Sequence, residues 1–381
     1  MTPKDMLTNR TFCPMPWTGL MYNFDGQVKN CIRSAGAIGD LKHDAIQDIV
    51  LGSTNVSAQQ NIANNQPVAA CHTCYDLEGD KSGFNIISDR IFYIRELKKV
   101  PTNTYQSGNF DLQTVDVRWT NLCNFSCIYC GPDFSSKWAA ELNEYLDTPT
   151  AIQKQQFKNY IFDNAHKLKH VYLAGGEPLL MKENEELLDL LKSTNPGVNL
   201  RINTNLSKVD TRVFDKICEF ENVHWTVSIE TIEEEFEYIR HGGRWLDFLD
   251  NLDTIRKLDH RISFNMLHFL LNYQSVFGCV DFLKSMGFHN NSYIIGALTD
   301  PLYLNIRHLP DIVLQSLGST LQNKINQHPG YLLEDSYRNM LAYLTIPFEK
   351  NLKQSFVDLS VLDQRRGLNS QDIFKELYKL A

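Results

Sequence analysis

Nowhere does this 381-residue chain contain the roughly 20 consecutive apolar residues that a membrane-spanning helix needs. Its opening residues 1–17 lack the apolar core of a secretory signal, which makes a cytoplasmic protein the expectation. An excess of positive charge is also missing. Lys and Arg total 37 against 45 Asp and Glu, a net charge of −8. A protein built to coat nucleic acid shows the opposite balance, so no nucleic-acid partner and no membrane partner are expected. Nor is the chain short of apolar residues: 43% are hydrophobic and 22% charged, which excludes disorder as the main state. The length has room for two or three domains. Cysteine is plentiful, at nine residues. Seven of them, Cys13, Cys31, Cys71, Cys74, Cys123, Cys127 and Cys130, fall in the first 130 positions. In a reducing compartment such clustering points to metal binding or catalysis rather than disulfides.

Residues 1–100 read as a small, loop-rich unit. Two short runs of strand-formers flank Asp25-Gly26, a turn signal that predicts a β-hairpin over 20–31. The polar stretch 52–70 reads as a loop with a frayed helix, and 82–100 shows helical apolar spacing ending before Pro101. From about 113 the texture changes. Strand candidates at 115–120, 171–174, 200–203, 224–229, 262–267 and 293–295 alternate with helical stretches at 136–145, 151–168, 184–193, 210–219, 247–258 and 277–286. Six such units predict an α/β fold, a partial (β/α)6 barrel spanning 101–310. A helical C-terminal extension is expected over 311–381. In such sheets the site lies at the C-terminal ends of the strands.

The sharpest signal is Cys123-Asn-Phe-Ser-Cys127-Ile-Tyr-Cys130, directly after the first barrel strand. Thiolates are soft ligands suited to iron–sulfur clusters or zinc. A structural zinc takes four closed ligands. Three thiolates instead leave one iron of a cube open, which is what a cluster needs if a cofactor is to bind it.

This pattern resembles the radical S-adenosylmethionine (SAM) superfamily. The resemblance implies a [4Fe–4S] cluster held by Cys123, Cys127 and Cys130, with SAM chelating the open iron and Tyr129 against the adenine. Gly175-Gly176-Glu177-Pro178 looks like the family's GGEP element, whose acid receives the SAM amino group; a carboxylate suits that charge-assisted bond. Asn203-Thr204-Asn205 resembles the TNG-like element, with Leu206 in place of its glycine. Thr226-Val-Ser228-Ile-Glu230 resembles the VSLD element, which makes Ser228 a candidate SAM contact. Arg240 matches a family arginine that binds the SAM carboxylate. The resemblance covers about 113–300 and names no catalytic acid, base or hydrogen donor.

Cys13, Cys31, Cys71 and Cys74 are a second set. A hairpin brings two thiolates up and a C-x2-C knuckle closes the site, for zinc or for a fully ligated [4Fe–4S] cluster. The order Cys13, Gly26, Cys31, Cys71-His-Thr-Cys74 is similar to the SPASM and twitch modules of radical SAM enzymes. Ile38-Gly-Asp-Leu41 and Ile46-Gln-Asp-Ile49 add to that likeness. It implies an auxiliary [4Fe–4S] cluster in a twitch-like module over 1–100. Such modules follow the barrel; this one precedes it.

Cys218 and Cys279 lie among apolar neighbours on predicted helices and read as small buried hydrophobes. His268 reads as a satisfied structural histidine, and Trp17 and Trp119 as packing residues. The resemblance thus implies an enzyme that cleaves SAM reductively and abstracts hydrogen from a substrate. A peptide or protein substrate is favoured, and oxidation of a sugar-derived small molecule is the alternative. The auxiliary cluster would assist electron transfer, and an external donor such as a flavodoxin or ferredoxin would supply electrons.

Overall fold

Alternation around a tight turn starts the fold. Strands β1 (Gly19–Tyr22) and β2 (Gln27–Lys29) pair antiparallel, with Tyr22 opposite Val28. Gly26 closes the turn at φ +97°, a conformation that a side chain would strain. A two-residue β3 (Gly39–Asp40) pairs with β2. The computed structural model describes residues 9–79, 88–97 and 102–380. Packing divides the chain into two compact units. One holds residues 1–122, 144–203 and 210–224, the other 123–143, 204–209 and 225–381.

In the first unit β1 also pairs in parallel with β4 (Thr114–Val117), so the hairpin continues directly into a parallel sheet. The order there is β3-β2-β1-β4-β5-β6, with β5 at His170–Leu173 and β6 at Asn199–Thr204. Strands β1 and β4 are buried at every position, as strands covered on both faces must be. The rings of Tyr22 and Phe157 pack at 4.6 Å on this sheet, and Trp119 joins them. Helix Lys182–Thr194 buries Leu187, Leu188 and Leu191, one face at helical spacing.

Within the polar stretch 52–70, expected as a loop with a frayed helix, Ser53–Ala63 forms a regular helix. Its polar residues are the reason. Asn55 is buried and donates to the carbonyls of Pro16 and Val50; Gln59, also buried, donates to those of Pro16 and Asn109. Amides replace an apolar stripe, which apolar periodicity does not register. Of the helix expected over 82–100, Asp89–Glu96 is seen, while Ile86 and Ile87 lie outside the described residues.

The second unit carries β7 (Val223–Ser228), most of which belongs to it, then β8 (Arg261–His268) and β9 (Tyr293–Ala297). Strands β8 and β9 run parallel, with Phe264 beside Tyr293. The expected α/β architecture is therefore present: each of the six predicted barrel strands forms, with helices between them. Beyond β9 the described chain is helical, with long helices at Asp311–Gln327, Leu332–Leu344 and Leu352–Arg366. Among the described residues no helix is long and apolar enough to cross a membrane.

Candidate functional site

The three-cysteine loop of the second unit is fixed through its backbone. Ser126 and Ile128 donate their amides to the carbonyls of His241 and Ile239 at 2.8 and 2.9 Å. Ser135 caps helix Ser136–Leu142 and donates its hydroxyl to the Phe125 carbonyl. Ser136 accepts from the Cys123 amide at 3.1 Å, and the Trp138 indole donates to the Cys127 carbonyl at 2.7 Å. Gly242 lets the loop approach closely: a Cβ there would sit 3.0 Å from the Asn124 carbonyl oxygen, and its φ is +102°. Burial pushes the Cys130 thiol up to about 12 and raises that of Cys127, against the pull of Arg240.

Beside this loop lies a buried ion pair. Arg240 ends helix Glu233–Ile239 and grips Glu230 through two hydrogen bonds, Nε–Oε2 at 2.7 Å and Nη2–Oε1 at 3.0 Å. Both side chains are almost fully buried. Its remaining Nη1 points at the Cys127 sulfur, 3.9 Å away. Burial works against the Arg240 charge, but the Glu230 carboxylate outweighs it and holds the guanidinium charged. Tyr129 donates its phenol to Glu230 at 3.0 Å, and its ring meets the edge of Phe269. Glu230 is thus the hub that joins Tyr129 to Arg240. Glu230 is the acid at the end of the VSLD-like element, and the family likeness assigns it no role.

Asn205 closes another side of the loop, with Nδ2 3.2 Å from Asn124 Oδ1 and 3.7 Å from the Cys123 sulfur. Leu206, where the motif resembled has glycine, takes the left-handed conformation at φ +55° and is fully buried. Ser228 ends β7 and is half-buried.

In the first unit, Gly175 and Gly176 follow β5. Gly175 has φ +116°, and a Cβ on Gly176 would sit 2.7 Å from the Asn121 carbonyl oxygen, so glycine is required. Glu177 is fully buried; its amide donates to the Leu122 carbonyl at 2.7 Å and its Oε1 accepts from the Leu179 amide at 3.1 Å.

The first unit also gathers the second cysteine set. Cys13, Cys31, Cys71 and Cys74 line one cavity, with Met15, Arg33, Tyr75, Asp89, Arg90 and Tyr93 around them. Burial pushes Cys31 up to about 12 and Cys71 up to about 11, and lifts Cys13 furthest, with neighbouring thiols adding to the rise. Backbone polar groups of Met15, Arg33 and Arg90 temper the rise at Cys13, Cys31 and Cys74. Among the described residues, no group of three or more His, Cys, Asp or Glu side chains is drawn together tightly enough to chelate a single metal ion.

Residues 117–283 match the family model of the Radical SAM superfamily. The match covers less than half of the chain, and it is to this superfamily that the stretch is similar. Curated relatives include the GTP 3′,8-cyclases of Campylobacter lari, 22% identical over 231 residues (58% of this chain, 68% of that protein), and of Sulfurimonas denitrificans, 23% over 170 residues (44% and 51%). The chain thus spans about half to two-thirds of their length. Similar solved structures include anSMEcpe with bound AdoMet and Kp18Cys peptide, at a TM-score of 0.42 and 14% identity (56% of this chain, 61% of that one). Streptococcus suis SuiB bound to S-adenosylmethionine scores 0.43 at 14% (71% and 63%).

The superfamily that this stretch matches is one that uses SAM and a [4Fe–4S] cluster. The donor chemistry fits: three cysteines share one backbone-fixed loop, and a guanidinium faces one sulfur. The family match begins at 117, so the four-cysteine cavity lies outside it. Of the remaining candidates, Cys279 is fully buried on helix Ser275–Ser285, and Cys218 follows helix Arg212–Ile217. His268 is buried and donates Nε2–H to the Tyr273 carbonyl at 3.0 Å. Its burial lowers its pKa to about 4, so it is neutral at ordinary pH.

Proposed function

We propose that this protein is a radical SAM enzyme that cleaves SAM reductively and abstracts a hydrogen atom from its substrate. The observation that carries the reading is the three-cysteine loop with the Glu230–Arg240 pair packed on it, inside the stretch that matches the Radical SAM superfamily. When bound, a [4Fe–4S] cluster supplies the electron that splits SAM into methionine and a 5′-deoxyadenosyl radical. Cys123, Cys127 and Cys130 hold it. Arg240 carries a permanent charge suited to the SAM carboxylate, and Glu230 orients that charge. Tyr129, which donates to Glu230, lies against the adenine in this reading. Glu177 offers a buried carboxylate to the SAM amino group, and Asn205 and Ser228 are further SAM contacts. Gly175 and Gly176 keep side chains off the approach.

Cys13, Cys31, Cys71 and Cys74 hold an auxiliary [4Fe–4S] cluster in this reading. Supporting it, four thiols from distant positions in the chain line one cavity. An auxiliary cluster held by these four cysteines would supply an electron acceptor for oxidation of the substrate, and a flavodoxin- or ferredoxin-like protein would be the external electron donor. The substrate is a peptide or protein, as the twitch-like arrangement of those cysteines suggests. The second reading is a sugar-bearing small molecule, favoured by the relatives named for a cyclisation of GTP.

The test is anaerobic incubation of iron-loaded protein with SAM and a reductant. The expected result is 5′-deoxyadenosine, lost when any of Cys123, Cys127 or Cys130 is replaced by Ala. Loaded protein that yields none overturns the proposal. Glu177→Ala is expected to lose SAM binding by calorimetry while keeping its iron. Adding candidate peptides or nucleotides then separates the two substrate readings, by which of them raises turnover and gains a changed mass.

A further inference from the structure

The four-cysteine cavity has a built frame. Helix His72–Gly79 carries Cys74 and, one turn later on the same face, Glu78. Arg90 sits at the start of helix Asp89–Glu96, only 3% exposed, and lines the cavity. Its guanidinium makes a fork onto Glu78, with Nε 2.8 and 3.0 Å from the two carboxylate oxygens and Nη2 also in contact. Its Nη1 donates to the carbonyls of Asn9 at 3.0 Å and Phe12 at 2.6 Å, the latter being the residue before Cys13. Ser88 supports the arrangement by donating its hydroxyl to Glu78. Next to it, Asp89 accepts from Arg33 Nε at 2.6 Å, and Arg33 lies two residues after Cys31.

Three separate segments bearing Cys13, Cys31 and Cys74 are therefore tied to the tripeptide Ser88-Asp89-Arg90. We infer that Arg90, braced by Glu78, is the positioning residue of the four-cysteine site. It fixes the segments of Cys13 and Cys74 relative to each other and sets a permanent positive charge beside the sulfurs. Arginine suits this role because its planar fork meets a carboxylate and two carbonyls at once; lysine offers the charge without the fork. A thiolate-rich cluster carries net negative charge, and a buried cation nearby favours its reduced, more negative form. Arg90 thus raises the reduction potential of whatever cluster the site holds. The inference rests on the auxiliary-cluster reading above.

The experiment uses full-length protein purified anaerobically, with iron and sulfide counted per chain and each cluster titrated by EPR. Wild type is expected to hold about eight irons, and Cys31→Ala/Cys74→Ala about four. Arg90→Gln is expected to lose up to half of the iron, all of it from the N-terminal site. Molecules that keep that cluster should show its potential shifted to more negative values, with the signal from Cys123, Cys127 and Cys130 unchanged. Arg90→Lys should recover the potential but only part of the occupancy. Glu78→Gln should shift the potential the opposite way, since it removes a negative charge; mere loosening would not reverse sign. Full iron and wild-type potentials in both Arg90→Gln and Glu78→Gln overturn the inference and leave the auxiliary cluster standing. About four irons in wild type, unchanged in Cys31→Ala/Cys74→Ala, removes the auxiliary cluster itself. If Arg90→Gln gives no soluble protein, Arg90→Lys and Glu78→Gln carry the same comparison.

Discussion

At the scale of single residues, Leu206 and His268 show how a side chain is committed by its surroundings. Leu206 occupies a left-handed position at φ +55° while wholly buried. That backbone costs a non-glycine residue about 1–2 kcal/mol, whereas deleting a buried leucine side chain costs about 2–5 kcal/mol. Packing wins, so Leu206→Gly is expected to destabilise the protein by about 2 kcal/mol in urea unfolding, despite the relief of strain. An equal or higher midpoint would mean the side chain contributes little there. His268 has the opposite logic. Its ordinary pKa is 6.5 and its folded value is about 4, lowered by burial. The unfolded chain therefore takes up the proton first. The contribution is fully present above about pH 6.5 and is lost as pH falls toward 4, at most about 3 kcal/mol. Unfolding of wild type and His268→Gln across that window should show the steeper acid loss in wild type only.

Secondary-structure elements depend on polar residues in two places that apolar periodicity overlooks. Helix Ser53–Ala63 is held by Asn55 and Gln59, whose amides satisfy otherwise buried carbonyls. Leaving such groups unpaired costs about 1–3 kcal/mol each, so Asn55→Ala should lower the unfolding free energy by about 2–4 kcal/mol. In the second unit, Arg240 and Glu230 hold the segment after β7 against the cysteine loop. Removing one partner of a buried pair costs about 3–5 kcal/mol. Glu230→Ala is accordingly expected to destabilise the second unit and to displace Arg240. Glu230→Gln, which keeps shape and one hydrogen bond, should fold yet bind SAM more weakly. SAM affinity equal to wild type in Glu230→Gln would show that Arg240 needs no carboxylate to orient it.

For the molecule as a whole, the two cysteine sets fall in different compact units, Cys13 to Cys74 in one and Cys123 to Cys130 in the other. Emptying one set is expected to leave the other loaded. Replacing Cys123, Cys127 and Cys130 together by Ala should cut iron from about eight to about four per chain, with the remaining absorbance bleached only by further loss from the N-terminal site. Four irons with one zinc in wild type, and none of the iron left in the variant, would instead mark the N-terminal site as structural zinc.

Parts of the molecule whose chemistry is local are legible in the chain. Cys123-x3-Cys127-x2-Cys130 is a spacing, and Gly175-Gly176 is a backbone requirement that glycine alone meets; both are written in adjacent residues. The six strands were legible too, because β-branched and aromatic runs between helical stretches form wherever they fall. The rest depends on which segments the fold brings together. Glu230 and Arg240 are ten residues apart and become a pair only when helix Glu233–Ile239 folds back. Arg90 reaches Phe12 across 78 positions, Asn55 finds Pro16 across 39, and Leu206 keeps its left-handed turn because its side chain is packed on all sides. Local pattern reports what a residue prefers alone; a buried polar group's partner is fixed by which segments the fold brings together, and that depends on the whole chain.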